Sequence, residues 1–333
     1  MHEQIIYFGA PGTGKSFLVD KHLKDKSVPD ENIFRVTIFP EFSYSDFIGQ
    51  LLPYETPSGN IKFEFEEGQF VKALKKAFED NSVDIYLILE EISRGNIAAI
   101  FGDVFQLLDR DEEFKSKFKI KNKNVASRIP ALNTDDVYLP SNLNIICTVN
   151  TNDQNVFPMD TAFKRRFDWK YVSTLPYVDP ATNAVNIDLN NPLLTVKYIH
   201  NGVDQSFDIS WLSFYCSLNE FVTNKTNGLG QKEDKQVGQF FIKFSPTLCS
   251  NSKSADPAVS GPALSEVGNI IRDKLLVYLW QDIQSISFLG NSKSLFSNNM
   301  TDFNTLYSGY GTAQVFSDDF IETFLYPNRN NYR

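Results

Sequence analysis

Gly9-Ala10-Pro11-Gly12-Thr13-Gly14-Lys15-Ser16 fits G-x-x-x-x-G-K-[ST] without a mismatch, and the chain on either side supplies the setting that this spacing needs. Before it, Gln4 to Phe8 is a short β-prone run; after it, Phe17 to Leu23 has helical spacing. Strand, glycine loop and helix in immediate succession make a phosphate-binding loop. Each residue type has a physical reason. Glycines let successive backbone N–H groups turn onto phosphate oxygens, and the following helix offers its positive N-terminal end. Lys15 reaches the β and γ phosphates, and the Ser16 hydroxyl ligates magnesium. A glycine loop that only makes a turn would not also require lysine followed by serine. Gly9, Ala10, Pro11, Gly12, Thr13, Gly14, Lys15, Ser16 and the adjoining Phe17 are therefore the expected nucleotide contacts.

Working outward, Ile33 to Phe39 reads as the next strand, and Leu51 to Tyr54 and Ile61 to Phe65 flank the turn-rich Thr56-Pro57-Ser58-Gly59-Asn60 as a hairpin. Gln69 to Phe78 has the pattern of an amphipathic helix. Asp84 to Leu89 is the strongest buried-strand signal, and it ends in Glu90-Glu91. Helical spacing returns at Ile97, Ile100, Phe101, Val104, Phe105 and Leu108. Asn142 to Val149 is a further buried strand, and Met159 to Phe167 carries Lys164, Arg165 and Arg166. Alternating strands and helices predict an α/β domain with a parallel sheet covered on both faces, over residues 1–176. In such a sheet the strand ends present the ligand edge. Glu90 there would hold the magnesium shell and Glu91 would polarise the attacking water; the plainer alternative is a helix N-terminus that merely favours acids.

Lys115, Lys117, Lys119, Lys121 and Lys123 occupy every second position. In an extended strand all five share one side, either as a solvated edge protected by lysine or as a face turned to DNA or a partner. After Pro176 the texture changes. Leu194 to His200, Asn201-Gly202 and Val203 to Ile209 have the signature of a tight hairpin. Trp211 to Val222 and Val267 to Phe288 read as helices, Ser245 to Pro262 as a Ser/Ala/Pro-rich loop, and the chain beyond Leu289 has only weak periodicity. Residues 177–333 are thus expected to form a smaller, mostly helical domain.

Composition narrows the function. Of 333 residues, 42% are hydrophobic and 22% charged, enough for a sizeable core. Lys plus Arg is 32 against 41 for Asp plus Glu, a net charge of −9, which argues against a free-standing DNA binder. The longest apolar run, Leu275 to Trp280, is six residues, far short of the roughly 20 of a membrane-spanning helix. Three cysteines and three histidines lie far apart, with no zinc-type spacing or disulfide framework. The N-terminus shows no basic leader or cleavage site, so the expected compartment is the cytoplasm.

Glu90-Glu91-Ile92-Ser93-Arg94-Gly95-Asn96 followed by Ile100-Phe101-Gly102-Asp103 resembles the acid-acid-Ile-x-Arg-Gly-Asn and Phe-Gly-Glu run of the McrB family, AAA+ nucleoside triphosphatases of modification-dependent restriction systems. Phe42-Ser43-Tyr44-Ser45-Asp46-Phe47-Ile48, Thr148 to Asp153, Asp160 to Phe167 and, later, Gln236-Val237-Gly238-Gln239-Phe240-Phe241 are similar to further family blocks in the same order. The resemblance implies an AAA+ core followed by a helical lid, with magnesium as cofactor and ATP or GTP as substrate. It implies that Asn150 is the first sensor and that Arg165 and Arg166 are fingers presented to a neighbour's nucleotide in a hexameric ring. Arg94 would pair across the interface or cap nearby acids. It further implies a McrC-like nuclease partner and DNA reached through the complex. Hairpins at 43–67 and 114–138 would line or approach the pore.

Three departures stand out. The family's first acid is usually Asp, and Glu90 is one methylene longer. Gln154 stands where Arg commonly follows. The phosphate loop begins at Gly9, so the founding member's N-terminal DNA-recognition domain is expected to be supplied elsewhere. Asn150 to Asp153 also has a superficial likeness to a guanine-reading Asn-Lys-x-Asp, but the sensor role places Asn150 by the phosphates and not the base; Asp153 is a further nucleotide-side candidate. Two readings of a different class share the same signals: a protein-remodelling chaperone of the MoxR kind and a non-hydrolysing, nucleotide-gated scaffold.

Overall fold

The computed structural model describes residues 2–150, 157–284 and 293–333. Strands are numbered along the chain. β1 (Gln4–Gly9), β2 (Ile33–Thr37), β5 (Ile85–Glu90), β8 (Leu143–Asn150) and β9 (Asp168–Tyr171) form one sheet in the order β2-β5-β8-β1-β9. β2 runs parallel to β5, β5 to β8 and β1 to β9. Every residue of β5 is buried, and in β8 only the terminal Asn150 is not. That is why β5 reads as an apolar run up to Glu90, while β8 buries Asn144 and Thr148 among its apolar residues. Because Leu89 lies opposite Cys147, the polar ends Glu90-Glu91 and Thr148-Asn150 emerge side by side at one edge.

The first compact unit comprises residues up to Phe8 and Lys15–Tyr171. Its helix Gln69–Glu79 buries Phe70, Val71, Ala73, Leu74 and Ala77 on one face, as its spacing requires. The helix expected from Ile97 to Leu108 is broken: Ile97–Phe101 is α-helical, Gly102 leaves the helical region at φ +49°, and Gly102–Leu108 continues as 3-10 turns. Val104, Leu107 and Leu108 still reach the core, so the apolar pattern survives the break. Ser43 caps the short helix Tyr44–Phe47 in a reciprocal capping box with Asp46. Phe47 then meets Phe101 at 4.9 Å, Phe101 meets Phe163 at 5.5 Å, and Phe163 meets Phe167 at 4.7 Å. This aromatic chain ties the Phe42–Ile48 block to the helix Thr161–Lys164.

β3 (Gly49–Glu55) and β4 (Ile61–Glu67) form an antiparallel ribbon over seven residue pairs, with Ile61 71% and Phe63 68% exposed. The segment expected as a hairpin from Phe114 to Tyr138 differs from expectation. Only Ile120–Lys121 (β6) and Asp136–Val137 (β7) pair, with a short helix Lys123–Ala126 between them. The Arg110 guanidinium donates to the carbonyls of Phe114, Leu139, Pro140 and Leu143, so these backbone groups are satisfied by a side chain and not by a strand ladder. The five lysines are not carried by any continuous strand.

The second unit comprises Gly9–Gly14 and Val172–Arg333, similar in length to the first where a smaller one is expected from the sequence. β10 (Val178–Asp179) pairs with β11 (Ala184–Val185), and β12 (Leu193–His200) with β13 (Val203–Ser210) around Asn201-Gly202. The segment from Ser245, whose composition suggests a loop, contains two helices, Pro246–Ser252 and Pro257–Lys274, each with Pro at its first position behind a Ser or Asp cap. The chain beyond residue 293 completes this core: Phe316, Phe320 and Phe324, four apart, are buried against Phe214 and Phe221. The three cysteines are free thiols. Among the described residues no helix is long and apolar enough to cross a membrane.

Candidate nucleotide site

In the first unit the helix Lys15–Asp25 begins with Lys15 buried and Ser16 at the end of the sheet. The Ser16 hydroxyl donates to Glu90 Oε2 at 3.0 Å, and the Thr148 hydroxyl donates to the same oxygen. Arg35 Nη1 donates to the other oxygen, Oε1, at 2.9 Å, and Arg35 also pairs with Asp20. Glu90 is itself buried, so these partners offset the cost of its charge. Serine hydroxyl beside carboxylate is the donor set that octahedral magnesium shares with water and phosphate, and these residues fit the ion. Among the described residues no group of three or more His, Cys, Asp or Glu could hold a metal ion.

Glu91 follows with φ +55° and ψ +41°, a left-handed conformation costing about 1–3 kcal/mol in a side-chain-bearing residue and concentrated at functional sites. Its backbone N–H donates to Thr148 Oγ1 at 3.1 Å. The turn swings its carboxylate to β8, where Asn150 Nδ2 donates to both oxygens at 2.8 and 2.7 Å. Arg94 Nε lies 4.0 Å from Glu91 Oε2, so Arg94 engages an acid of its own chain. Asn150 also borders a cavity of about 710 Å³ with Arg165, Lys164, Trp169 and Met159.

The two finger candidates separate. Arg165 is exposed. Arg166 donates to Asp109 and to the Ala162 carbonyl, lies 4.5 Å from the centre of the Phe105 ring, and leaves only 8% of its side chain exposed. These contacts tie it to its own unit. Phe17 is 40% exposed on the first helix. Asp153 lies outside the described residues.

In the second unit the glycine loop rests on the late block. Gly238 N–H donates to Pro11 O at 2.9 Å and Phe240 N–H to Gly12 O at 2.7 Å. A trans peptide points its C=O and the next N–H in opposite directions, so the amides of Gly12 and Thr13 are turned away from this block. The fit excludes side chains: a Cβ on Gly12, whose φ is +76°, would lie 2.3 Å from Phe241 N, and one on Gly238 would lie 2.3 Å from Thr13 Cα. The Gln239 carbonyl accepts from Trp211 Nε1 at 2.8 Å, which anchors the block in the second core.

Residues 4–167 match the family described as AAA domain (dynein-related subfamily). The Escherichia coli (strain K12) type IV methyl-directed restriction enzyme EcoKMcrB subunit is 27% identical over 169 residues, 50% of this chain and 34% of that one. The type II restriction enzyme BsuMI component YdiS of Bacillus subtilis (strain 168) is 31% identical over 341 residues, 94% of this chain and 88% of that protein. The chain belongs to the McrB-like AAA+ family.

Two features of this McrB-like P-loop protein escape a reading of its sequence. Arg35 is a single charge in an apolar strand, and only the register of β2 against β5 brings it to Glu90. The grip of Gly238 and Phe240 on the glycine loop joins segments more than two hundred residues apart; the glycine in the block is its one visible signal. Gly238→Ala is expected to displace the loop and weaken nucleotide binding about tenfold, the effect of roughly 1–3 kcal/mol of overpacking. Fluorescent-nucleotide titration checks this, and an unchanged affinity would show that the loop does not need the close approach.

Proposed function

We propose that this protein is a ring-forming, hexameric nucleoside triphosphatase that hydrolyses ATP or GTP as the motor or switch subunit of a DNA restriction or antiphage complex, with a McrC-like nuclease subunit as partner. One observation carries the catalytic half of this reading: at one sheet edge Ser16 meets Glu90, and Glu91 is clamped by Asn150. The restriction half is supported by two relatives named as restriction enzyme components, one of type II and one of type IV.

In this reading the backbone amides of Gly9–Gly14 and the Lys15 ammonium bind the phosphates. Magnesium, held through Ser16 and Glu90, would supply charge to offset the phosphate oxygens. Asn150 keeps the Glu91 carboxylate aimed at the strand ends. Glu91 takes the proton of the attacking water as its oxygen bonds the γ-phosphorus and the β–γ bridging bond breaks. Arg165 of one subunit is the finger for the next, and Arg166 braces the helix that presents it. The exposed β3–β4 ribbon, with its apolar side chains, faces the pore.

Glu91→Gln is the direct test. The amide still accepts a hydrogen bond but is a poor proton acceptor, so nucleotide binding should persist while turnover falls by about 10²-fold or more. Phosphate release with ATP and with GTP measures this and identifies the preferred nucleotide. Normal turnover in Glu91→Gln together with loss in Glu90→Gln would mean that the two acids hold each other's roles. Wild-type protein that binds nucleotide but releases no phosphate would replace the motor with a nucleotide-gated scaffold.

A further inference from the structure

β2 pairs with β5 so that Arg35 lies opposite Ile88 and Thr37 opposite Glu90. Side chains two residues apart share a face, so Arg35 projects on the same side of the sheet as Glu90 and reaches forward to it. Asp20, the other partner of Arg35, stands four residues after Ser16 on the helix Lys15–Asp25 and therefore on the same helix face. The four side chains form a closed ring: Ser16 to Glu90 Oε2, Glu90 Oε1 to Arg35, Arg35 to Asp20, and Asp20 back along one helical turn to Ser16. The length of the Glu90 side chain lets its two oxygens meet both partners. A carboxylate one methylene shorter would end about 1.5 Å nearer its own strand and could not span both Ser16 and Arg35.

We infer that Arg35 is a positioning residue for the magnesium site, matched to Glu90: by occupying Oε1 it leaves Oε2 as the oxygen aimed at Ser16, and so sets how strongly nucleotide binding depends on magnesium. The inference rests on the nucleotide site proposed above. Two effects of removing the guanidinium oppose each other. Losing a cation near the metal would strengthen the site, and losing the clamp would let the longer acid swing. The ring decides between them, because Asp20 already offsets the guanidinium charge. Without Arg35, Asp20 and Glu90 face each other as like charges and push the carboxylate off Ser16.

The test is binding of fluorescent ATP and GTP analogues to the full chain, titrated with magnesium chloride and repeated in EDTA. Arg35→Gln should raise the half-effective magnesium concentration about tenfold, the worth of a charge-assisted hydrogen bond, with EDTA affinity within about twofold of wild type. Asp20→Asn, which loosens the clamp from its exposed end, should shift the midpoint in the same direction by less and keeps the test available if Arg35→Gln folds poorly. Adding Glu90→Asp to Arg35→Gln should return the midpoint toward wild type, since an acid one methylene shorter has less freedom to swing away from Ser16 once the clamp is gone. An unchanged or lower midpoint in Arg35→Gln, an equal loss of affinity in EDTA, or a double variant that is merely additive would overturn the inference. Wild-type protein whose nucleotide affinity ignores both magnesium and Lys15→Ala would instead overturn the nucleotide site itself.

Discussion

Lys15→Ala is expected to reduce nucleotide affinity by about 10²-fold or more, to the edge of detection. Lys15 opens the first helix with its side chain buried, so its ammonium is held in place rather than swinging in solvent. Backbone amides are neutral dipoles and leave most of a triphosphate's charge uncompensated. A lysine adds a full charge and hydrogen bonds to an ionised acceptor, each worth about 1.5–3 kcal/mol. The removal of two such hydrogen bonds at once accounts for the expected factor. Because truncation also vacates buried space, Lys15→Met is the companion variant: it keeps the apolar stem and removes only the charge. Both should melt close to wild type in the absence of nucleotide and lose the upward shift in melting temperature that nucleotide gives wild type. Wild-type affinity in either variant would remove the phosphate-loop assignment, and with it the enzyme.

What is legible in the sequence follows the range over which each interaction acts. The glycine loop and the core strands are local patterns: β5 is recognisable because a strand covered on both faces is apolar without alternation, and β8 by the apolar Ile145-Ile146-Cys147 at its centre. Glu90 and Glu91 stand out because they end such a strand. The turn at Gly102 does not, since a glycine within an apolar helical pattern does not announce whether it will adopt φ +49°. The lysine alternation misleads because side-chain spacing alone does not make a strand; four carbonyls around that stretch are satisfied by Arg110 and not by a strand ladder. Pro257 argues for a loop by composition, yet it is a helix start once Asp256 is seen as the cap. Phe316, Phe320 and Phe324 carry a helical period, but the Ser- and Asn-rich run at 291–299 before them gives the segment the texture of a loop. The two arginines at 165 and 166 are chemically alike in sequence, and Asp109, fifty-seven residues before Arg166, distinguishes them.

That distinction sharpens the second large effect, recovery of activity on mixing two inactive proteins. If Arg165 completes the neighbour's site, Arg165→Ala subunits keep an intact Glu91 but offer no finger, and Glu91→Gln subunits offer a finger but cannot take the water's proton. Each ring alone should be inactive. In an equal mixture, about a quarter of the head-to-tail interfaces set an intact acid against an intact finger, and turnover should return toward about a quarter of wild type. Arg166→Ala is the control: it leaves Asp109 without its cation and the Phe105 ring without its stacking partner, so it should lower the melting temperature and not behave as a clean finger deletion. The cavity bordered by both Asn150 and Arg165 supplies the competing arrangement, a finger acting within its own subunit. A cis finger makes two opposite predictions: mixing recovers nothing, and specific activity stays constant as the protein is diluted to concentrations at which light scattering finds only monomer. Either result would end the ring mechanism, whereas a fall in specific activity on dilution together with recovery on mixing requires that one subunit's arginine serve another's nucleotide.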